Sequence, residues 1–202
     1  MLIFCLNRFP KSFISASGIS IYGADSGDAI QTENQQKLGD DFIANLAKDW
    51  EKAAFQFENH NVKVATVRMG IVLSKEGGAY PKLALPIKFG LGAALGKGSQ
   101  FMSWIHLDDL CRMYLYIIET ELSGIYNAVA TQPVTNKKFT ELLAQNLSRP
   151  YFLPNVPSFL LRLGLGELSD ILLGGNNVSN EKILKEGFVF KYPDLNSALK
   201  NL

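Results

Sequence analysis

Phe13-Ile14-Ser15-Ala16-Ser17 and, further along, Val62-Lys63-Val64-Ala65-Thr66-Val67 running into Arg68-Met69-Gly70-Ile71-Val72-Leu73 decide the fold class. The first is a short apolar run after Pro10-Lys11 and the second is rich in β-branched residues, so both read as buried strands. Between them Phe42, Leu46, Trp50, Ala53 or Ala54, and Phe57 recur at helical spacing, an apolar stripe of the kind that faces a core, while Asp41, Lys48, Asp49 and Lys52 lie off it. A helix long enough to cross back over a sheet, set between two strands, implies parallel strands and an α/β class.

The alternation continues. Asp108 is placed to N-cap a helix carrying Leu110, Met113, Tyr114, Ile117 and Ile118, which Ser123-Gly124 ends before a strand-like run over 125–130. Thr135 then caps a helix with Phe139, Leu142, Leu143 and Leu147 on one face, stopped by Pro150. From Tyr151 the texture changes: Pro154 and Pro157 lead into a Leu-rich segment reaching Leu173, and Gly174-Gly175-Asn176-Asn177 makes a loop. Ser179 starts a short helix ending at Gly187, followed by Phe188-Val189-Phe190, Pro193 and a small terminal helix.

Composition narrows the function. The 202 residues hold 20 Lys+Arg against 19 Asp+Glu, a net charge of +1, with 47% hydrophobic and 19% charged residues. That is enough apolar side chain for a sizeable core and too little charge for a disordered polyelectrolyte. It also lacks the basic excess that nonspecific nucleic-acid or anionic-lipid binding draws on, so neither nucleic acid nor membrane is an expected partner. Cys5 and Cys111 lie far apart in apolar surroundings, without a C-x-x-C, which points to a reducing compartment rather than a disulfide framework or zinc site. No apolar stretch approaches the ~20 residues that span a bilayer, and the opening Met1-Leu2-Ile3-Phe4-Cys5-Leu6 lacks a basic region before it and a small-residue cleavage site after it. A cytoplasmic protein is expected.

Four features bear on chemistry. Gly90-Leu91-Gly92-Ala93-Ala94-Leu95-Gly96-Lys97-Gly98 resembles a phosphate-cradling loop only in composition, because no buried strand precedes it, no amphipathic helix follows, and Ser or Thr does not follow Lys97; it reads as a substrate-side loop. His60 lies in a polar stretch and reads as a solvated loop residue. His106, in Trp104-Ile105-His106-Leu107-Asp108-Asp109, admits a general-base role with a carboxylate orienter, but local hydrogen bonding that fixes the turn suits it better. No G-x-S-x-G elbow and no metal-ligand cluster occurs, so no metal is expected. Ser15-Ala16-Ser17-Gly18 closes a strand where ligands bind in open α/β sheets. A Ser hydroxyl there can donate to a substrate oxygen on which charge develops; small residues that merely permit close packing are the alternative, and composition favours neither.

Four blocks carry a resemblance: Ser15-Ala16-Ser17-Gly18-Ile19-Ser20-Ile21-Tyr22-Gly23, Asp49-Trp50-Glu51, Arg68-Met69-Gly70-Ile71-Val72-Leu73-Ser74 and Trp104-Ile105-His106-Leu107-Asp108-Asp109-Leu110. They resemble an atypical, extended branch of the short-chain dehydrogenase/reductase superfamily, the NAD(P)-dependent epimerase-like family whose members end in a conserved domain of unknown function. Leu153-Pro154 through Glu167-Leu168, and Gly187 through Leu195, are similar to that domain. The resemblance covers the whole chain. It implies an α/β protein with a partial Rossmann-like parallel sheet, its first strands missing, plus a small α+β C-terminal domain on the substrate side. Residues 1–76 would belong to the NAD(P)-binding domain, 77–150 to substrate-side loops and returning strand and helix elements, and 151–202 to the conserved C-terminal domain.

The family's opening strand, Gly-rich turn and helix, which hold the cofactor pyrophosphate, have no counterpart here; about 100 residues of ordinary α/β architecture are absent. The chain is thus expected to match the C-terminal two-thirds of a family member, whether a truncated gene product, an internal start or half of a split protein, and to be inactive alone. Counting back from Glu51, the superfamily's Tyr and Lys positions hold Ile43 and Ala47, a departure the branch shares. The resemblance leaves Ser17 as the catalytic position. It sets Ser15, Ala16, Met69, Gly70 and Ile71 around the nicotinamide of NADP or NAD, and has Tyr22 and Trp104 line the pocket of a small hydroxy or keto substrate. Met102 stands where sugar-nucleotide epimerases place an Arg on a diphosphate, so a UDP-sugar is not expected. Two functions follow: an NAD(P)-dependent redox or epimerisation enzyme, or a noncatalytic interaction module that associates through an exposed sheet edge. Some members of the family carry a cell-division-inhibitor label, which falls under the second.

Overall fold

The computed structural model describes residues 9–202 apart from Glu167. The opening hexapeptide with Cys5, and Glu167 of the C-terminal block, lie outside the described residues. Strand β1 (Ser12–Gly18) runs into a 3-10 turn (Ile19–Tyr22), then come β2 (Ile30–Gln31), α1 (Phe42–Phe55) and β3 (Lys63–Met69). β1 and β3 pair in parallel from Ser12↔Lys63 to Gly18↔Met69, as the strand–helix–strand order requires.

Next follow β4 (Ile71–Ser74), β5 (Gly77–Gly78), α2 (Ala79–Lys88), β6 (Phe101–Met102), β7 (Trp104–His106), α3 (Leu107–Glu119) and β8 (Gly124–Ala128). β8 adds in parallel on the far side of β3, so the order in the main sheet is β1-β3-β8. The chain closes with β9 (Val134–Thr135), α4 (Asn136–Asn146), α5 (Ser158–Leu165), α6 (Leu168–Leu173), β10 (Asn177–Val178), α7 (Glu181–Lys185) and α8 (Leu195–Asn201). Smaller ladders join β4 to β5 and β7, β6 to β9, and β10 to β2. Contacts cross the sequence boundaries: β10 pairs with β2, and the Asn176 amide donates to Gly23 O at 2.8 Å.

One face of the main sheet, with Ala65, Val67, Tyr126 and Ala128, packs on Leu110, Met113 and Ile117 of α3 and on Ile183, Phe188 and Phe190. The other is covered by α1, with a difference from the sequence expectation. The residues of α1 that turn inward are Ala44, Ala47, Glu51 and Ala54. The Phe42–Leu46–Trp50 stripe faces water, with Phe42 80% and Trp50 58% exposed. Small side chains let the helix lie close to the sheet, and Asp41 caps it by accepting from Ala44 N at 2.9 Å. The outer edge of β1 has no pairing strand among the described residues, and Ala16 on it is exposed.

Two helix starts, those of α3 and α7, also differ in detail. Thr135 caps α4 as expected, accepting from Lys138 N. For α3 the cap is His106 rather than Asp108: its Nδ1 accepts from Asp108 N at 3.1 Å. Asp108 stands in the first turn, where a carboxylate suits the helix dipole. α7 begins at Glu181, two residues later than Ser179 suggested.

Candidate functional site

The site lies where β1 and β3 end. Side chains alternate along β1, so Ser15 and Ser17 point to the α1 side, next to Thr66 and Arg68 of β3 through the register Ser15↔Thr66 and Ser17↔Arg68. Ser17 is 3% exposed and its Oγ has no hydrogen-bond partner; Thr66 Oγ1 is equally buried and unpaired. A buried hydroxyl without a partner costs about 1–3 kcal/mol, so it is a feature that function can explain. Ser15 Oγ makes only a long 3.4 Å contact to its neighbour's carbonyl.

Beside them is a network the sequence reading missed. Arg68, 2% exposed, donates from Nε and Nη2 to the two oxygens of Glu51, each at 2.8 Å. Its Nη1 donates to the Tyr22 hydroxyl at 2.9 Å, and that hydroxyl donates to Asn127 Oδ1 at 2.8 Å. The Asn127 amide continues to Ser179 O, and its backbone N–H donates to Glu33 Oε1. Burial would lower the Arg68 pKa, but the bonds to Glu51 and the charges around it hold it above the usual value. Burial raises the Tyr22 phenol, and the Arg68 charge opposes that without cancelling it. The signal was available: an Arg inside a β-branched strand must find a buried partner, and Glu51 is the carboxylate on the alanine face of α1.

Tyr22 and Trp104 therefore differ from the expectation that they line a pocket. Tyr22 is 6% exposed with its hydroxyl fully engaged. Trp104 is 1% exposed, packed in a second core with Leu73, Tyr80 and Phe139, and its Nε1 is unpaired. The segment Met69-Gly70-Ile71 carries the chain from the main sheet to the β4 ladder. Gly70 N donates to Ala128 O and Ile71 N to Ser103 O, so neither amide is free for a ligand. A Cβ at Gly70 would collide with the Ser103 carbonyl, which is why Gly stands there. Met69 is half-buried and accepts weakly from the Tyr114 hydroxyl. Ile43 is 40% exposed and Ala47 buried, so no phenol or ammonium occupies the superfamily's usual places.

The glycine loop holds no phosphate cradle. The N–H groups of Gly90, Leu91, Gly96 and Gly98 donate to carbonyls of the chain, and Leu95 N donates to Asn136 Oδ1. His60 is exposed and stacks on Phe9. No group of three potential metal ligands occurs among the described residues. A cavity of about 470 Å³ opens between the loop after the 3-10 turn and the loop before β6, with Asp25, Asp28, Lys97, Ser99, Ser158 and Arg162 on its walls. Ser17 is not on its walls. A shallower one of about 390 Å³ lies between α3 and residues 187–189.

Residues 156–202 match the family described as "Domain of unknown function (DUF1731)". Over 194 residues the chain is 38% identical to the epimerase family protein YfhF of Bacillus subtilis, covering 96% of this chain and 63% of that protein. A second relative, from Staphylococcus saprophyticus, is 39% identical, with 64% of its length covered. Among solved structures, the human epimerase family protein SDR39U1 (isoform 2) with NADPH superposes with a TM-score of 0.89 at 31% identity, covering 98% of this chain and 67% of that one. The chain belongs to the epimerase family. It is an epimerase-like member of the short-chain dehydrogenase/reductase superfamily, with a Rossmann-like α/β fold. It spans just under two thirds of the length of the curated family members it matches, 63% and 64% for the two above.

Proposed function

We propose that these residues form the hydride-transfer and substrate side of an NAD(P)-dependent epimerase or dehydratase-like enzyme acting on a small hydroxy or keto substrate. The observation that supports this best is Ser17: a hydroxyl at the carboxyl end of a parallel strand, buried and unpaired. The NADPH bound to the human relative adds the cofactor class. Such a cofactor supplies a hydride donor or acceptor at the nicotinamide carbon. Ser17 Oγ would donate to the substrate oxygen as charge develops there, a contribution made mainly in the transition state. Ser15, Ala16 and Met69 through Ile71 would meet the nicotinamide by shape rather than by backbone N–H donation, since the Gly70 and Ile71 amides are engaged. Ile43 and Ala47 bring no proton donor, so Ser17 acts without the superfamily's phenol.

Among the described residues no Gly-rich turn leads from a buried strand into a helix with free amides, the arrangement that binds a pyrophosphate. The residues present fit the nicotinamide end, and turnover is expected to need a pyrophosphate cradle from other residues. Thermal melts of the 202-residue chain with NADPH or NADH in excess test this. Binding at about 100 times Kd adds about 2.7 kcal/mol, or roughly 5–10 °C for a domain of this size. An unmoved melt would mean that these residues do not hold the cofactor by themselves.

The second reading is a noncatalytic interaction module. Two observations favour it: the outer edge of β1, which has no pairing strand among the described residues, and the outward apolar stripe of α1. Unpaired strand edges and large apolar patches drive association. Sedimentation across a concentration series distinguishes it, since a module of this kind gains mass with concentration whether or not NADPH is present.

A further inference from the structure

The net charge of +1 averages over an uneven distribution. No Asp or Glu occurs between Glu76 and Asp108, where Lys82, Lys88 and Lys97 lie, or between Glu141 and Glu167, where Arg149 and Arg162 lie. The fold laces these two acid-free stretches together. Val156 N donates to Ala94 O at 2.8 Å and Gly96 N to Val156 O at 2.9 Å, while the Asn155 amide reaches the carbonyls of Gly96 and Lys97, both at 3.1 Å.

At this end of the molecule large apolar side chains are turned to water: Leu85 is 56%, Phe89 75%, Leu91 61% and Phe152 73% exposed. Leu85 lies on the outer side of α2, Lys82 precedes it by three on the same side, and Phe89 caps the helix four residues after Leu85. Two of the five cations are answered locally. Arg162 lies 3.5 Å from Asp170, and Lys97 shares the larger cavity with Asp25 and Asp28. Lys82, Lys88 and Arg149 are exposed and make no ion pair among the described residues. The carboxylate on the adjoining α4, Glu141, is held by Lys138 at 3.2 Å and Gln145 at 3.3 Å.

We propose that this face docks peripherally on a lipid surface rich in anionic headgroups. Phe89, Leu85, Leu91 and Phe152 enter the interfacial layer while Lys82, Lys88 and Arg149 meet headgroup phosphates, the pairing of apolar and basic groups that interfacial binding uses. None of the four apolar residues lines either of the two cavities described above, and the unpaired cations among them match a surface of negative headgroups. No described helix is long and apolar enough to cross a membrane, so the contact is one of surface docking. This proposal does not depend on the enzymatic reading.

Co-sedimentation of the whole chain with phosphatidylcholine vesicles, with and without phosphatidylserine, tests it. Binding is expected to the phosphatidylserine vesicles, to weaken steeply with salt, and to be slight on pure phosphatidylcholine. Lys82→Gln, Lys88→Gln and Arg149→Gln should each lower the partition about five-fold, from about 1 kcal/mol per cation near the surface. Phe89→Ser and Phe152→Ser should lower it too, with a thermal melt for each variant showing that the fold is kept. No binding to phosphatidylserine vesicles, or binding that all five folded variants retain, overturns the proposal; the first outcome would leave the face to a protein partner.

Discussion

The guanidinium of Arg68 and the carboxylate of Glu51 face each other in two parallel hydrogen bonds of 2.8 Å, with side chains only 3% and 7% exposed. The pair ties α1 to the middle strand of the sheet directly beside Ser17. Removing one partner leaves an uncompensated buried charge, at a cost of about 3–5 kcal/mol. Glu51→Gln should therefore lower the melting temperature by roughly 6–20 °C, at about 2–4 °C per kcal/mol. Glu51→Leu with Arg68→Met should recover most of the loss, because replacing a buried pair by apolar groups of similar volume is often close to neutral. A single substitution without effect would mean that the pair does not anchor the helix.

The orientation of α1 predicts an inverted ranking of substitutions. Leu46→Glu and Trp50→Glu alter side chains 42% and 58% exposed, and should change stability by about 0.5 kcal/mol or less. Ala47→Leu, one turn from Glu51 on the inner face, overpacks the contact with the sheet and should cost about 1–3 kcal/mol. Urea unfolding of the three variants checks the order. Were Leu46 and Trp50 the costly positions, the inward face would be the one that apolar spacing alone indicates.

This helix also marks the limit of what the sequence reveals. The parallel β1–β3 pair, α3, α4 and the Thr135 cap follow from periodicity and capping residues, which are local signals. The inner face of α1 is not a local signal: alanines carry little hydrophobic weight, so the large side chains dominated the stripe although they face water. The two-residue ladders, such as β2 with β10, are too short for a periodicity. At the site, the resemblance singled out Ser17, and the structure adds its burial and its unpaired Oγ. The same resemblance sets Tyr22 and Trp104 on a pocket wall. Long-range partners, Arg68 and Asn127 for Tyr22 and the core of Leu73 and Phe139 for Trp104, place them inside instead.

Ser17→Ala separates function from stability. The hydroxyl has no partner, so its removal should leave the melting temperature unchanged or slightly raised. If Ser17 supplies the hydrogen bond to the reacting oxygen, the same change should reduce hydride transfer in the assembled, cofactor-bound enzyme by about 100-fold or more. A variant of full activity would leave close packing as the reason for the small residues.

His106 gives a pH dependence of definite sign. Its Nδ1 must be unprotonated to accept from Asp108 N, and burial holds its pKa below 6.5 despite the nearby Asp108 and Asp109. Between the folded value and about 6.5 the unfolded chain binds more protons, so stability rises with pH across that window. Its contribution is complete above the unfolded-state value and is lost as pH falls toward the folded one. Melts from pH 5 to 8 should show this slope. His106→Asn, which keeps a capping side chain without a titrating group, should flatten it; an unchanged slope would assign the effect to another group.

Asp109 and Asp108 are adjacent in sequence and should differ sharply in consequence. Asp109 is fully buried; Oδ1 accepts from Lys191 N and Arg112 Nη1, and Oδ2 from Tyr192 N, all at 2.8 Å, pinning the segment before α8 to the start of α3. Asp109→Asn turns one acceptor into a donor facing a backbone N–H, and each unsatisfied buried group costs about 1–3 kcal/mol. Faster amide exchange at Lys191 and Tyr192, with earlier proteolysis around residues 187–194, is the expected result. Asp108 is half exposed and pairs with Lys191 Nζ at 3.2 Å, so Asp108→Asn should change stability by about 0.5 kcal/mol or less. Equal losses from the two variants would place the anchor in the surface ion pair; a loss confined to Asp109→Asn places it in the buried carboxylate.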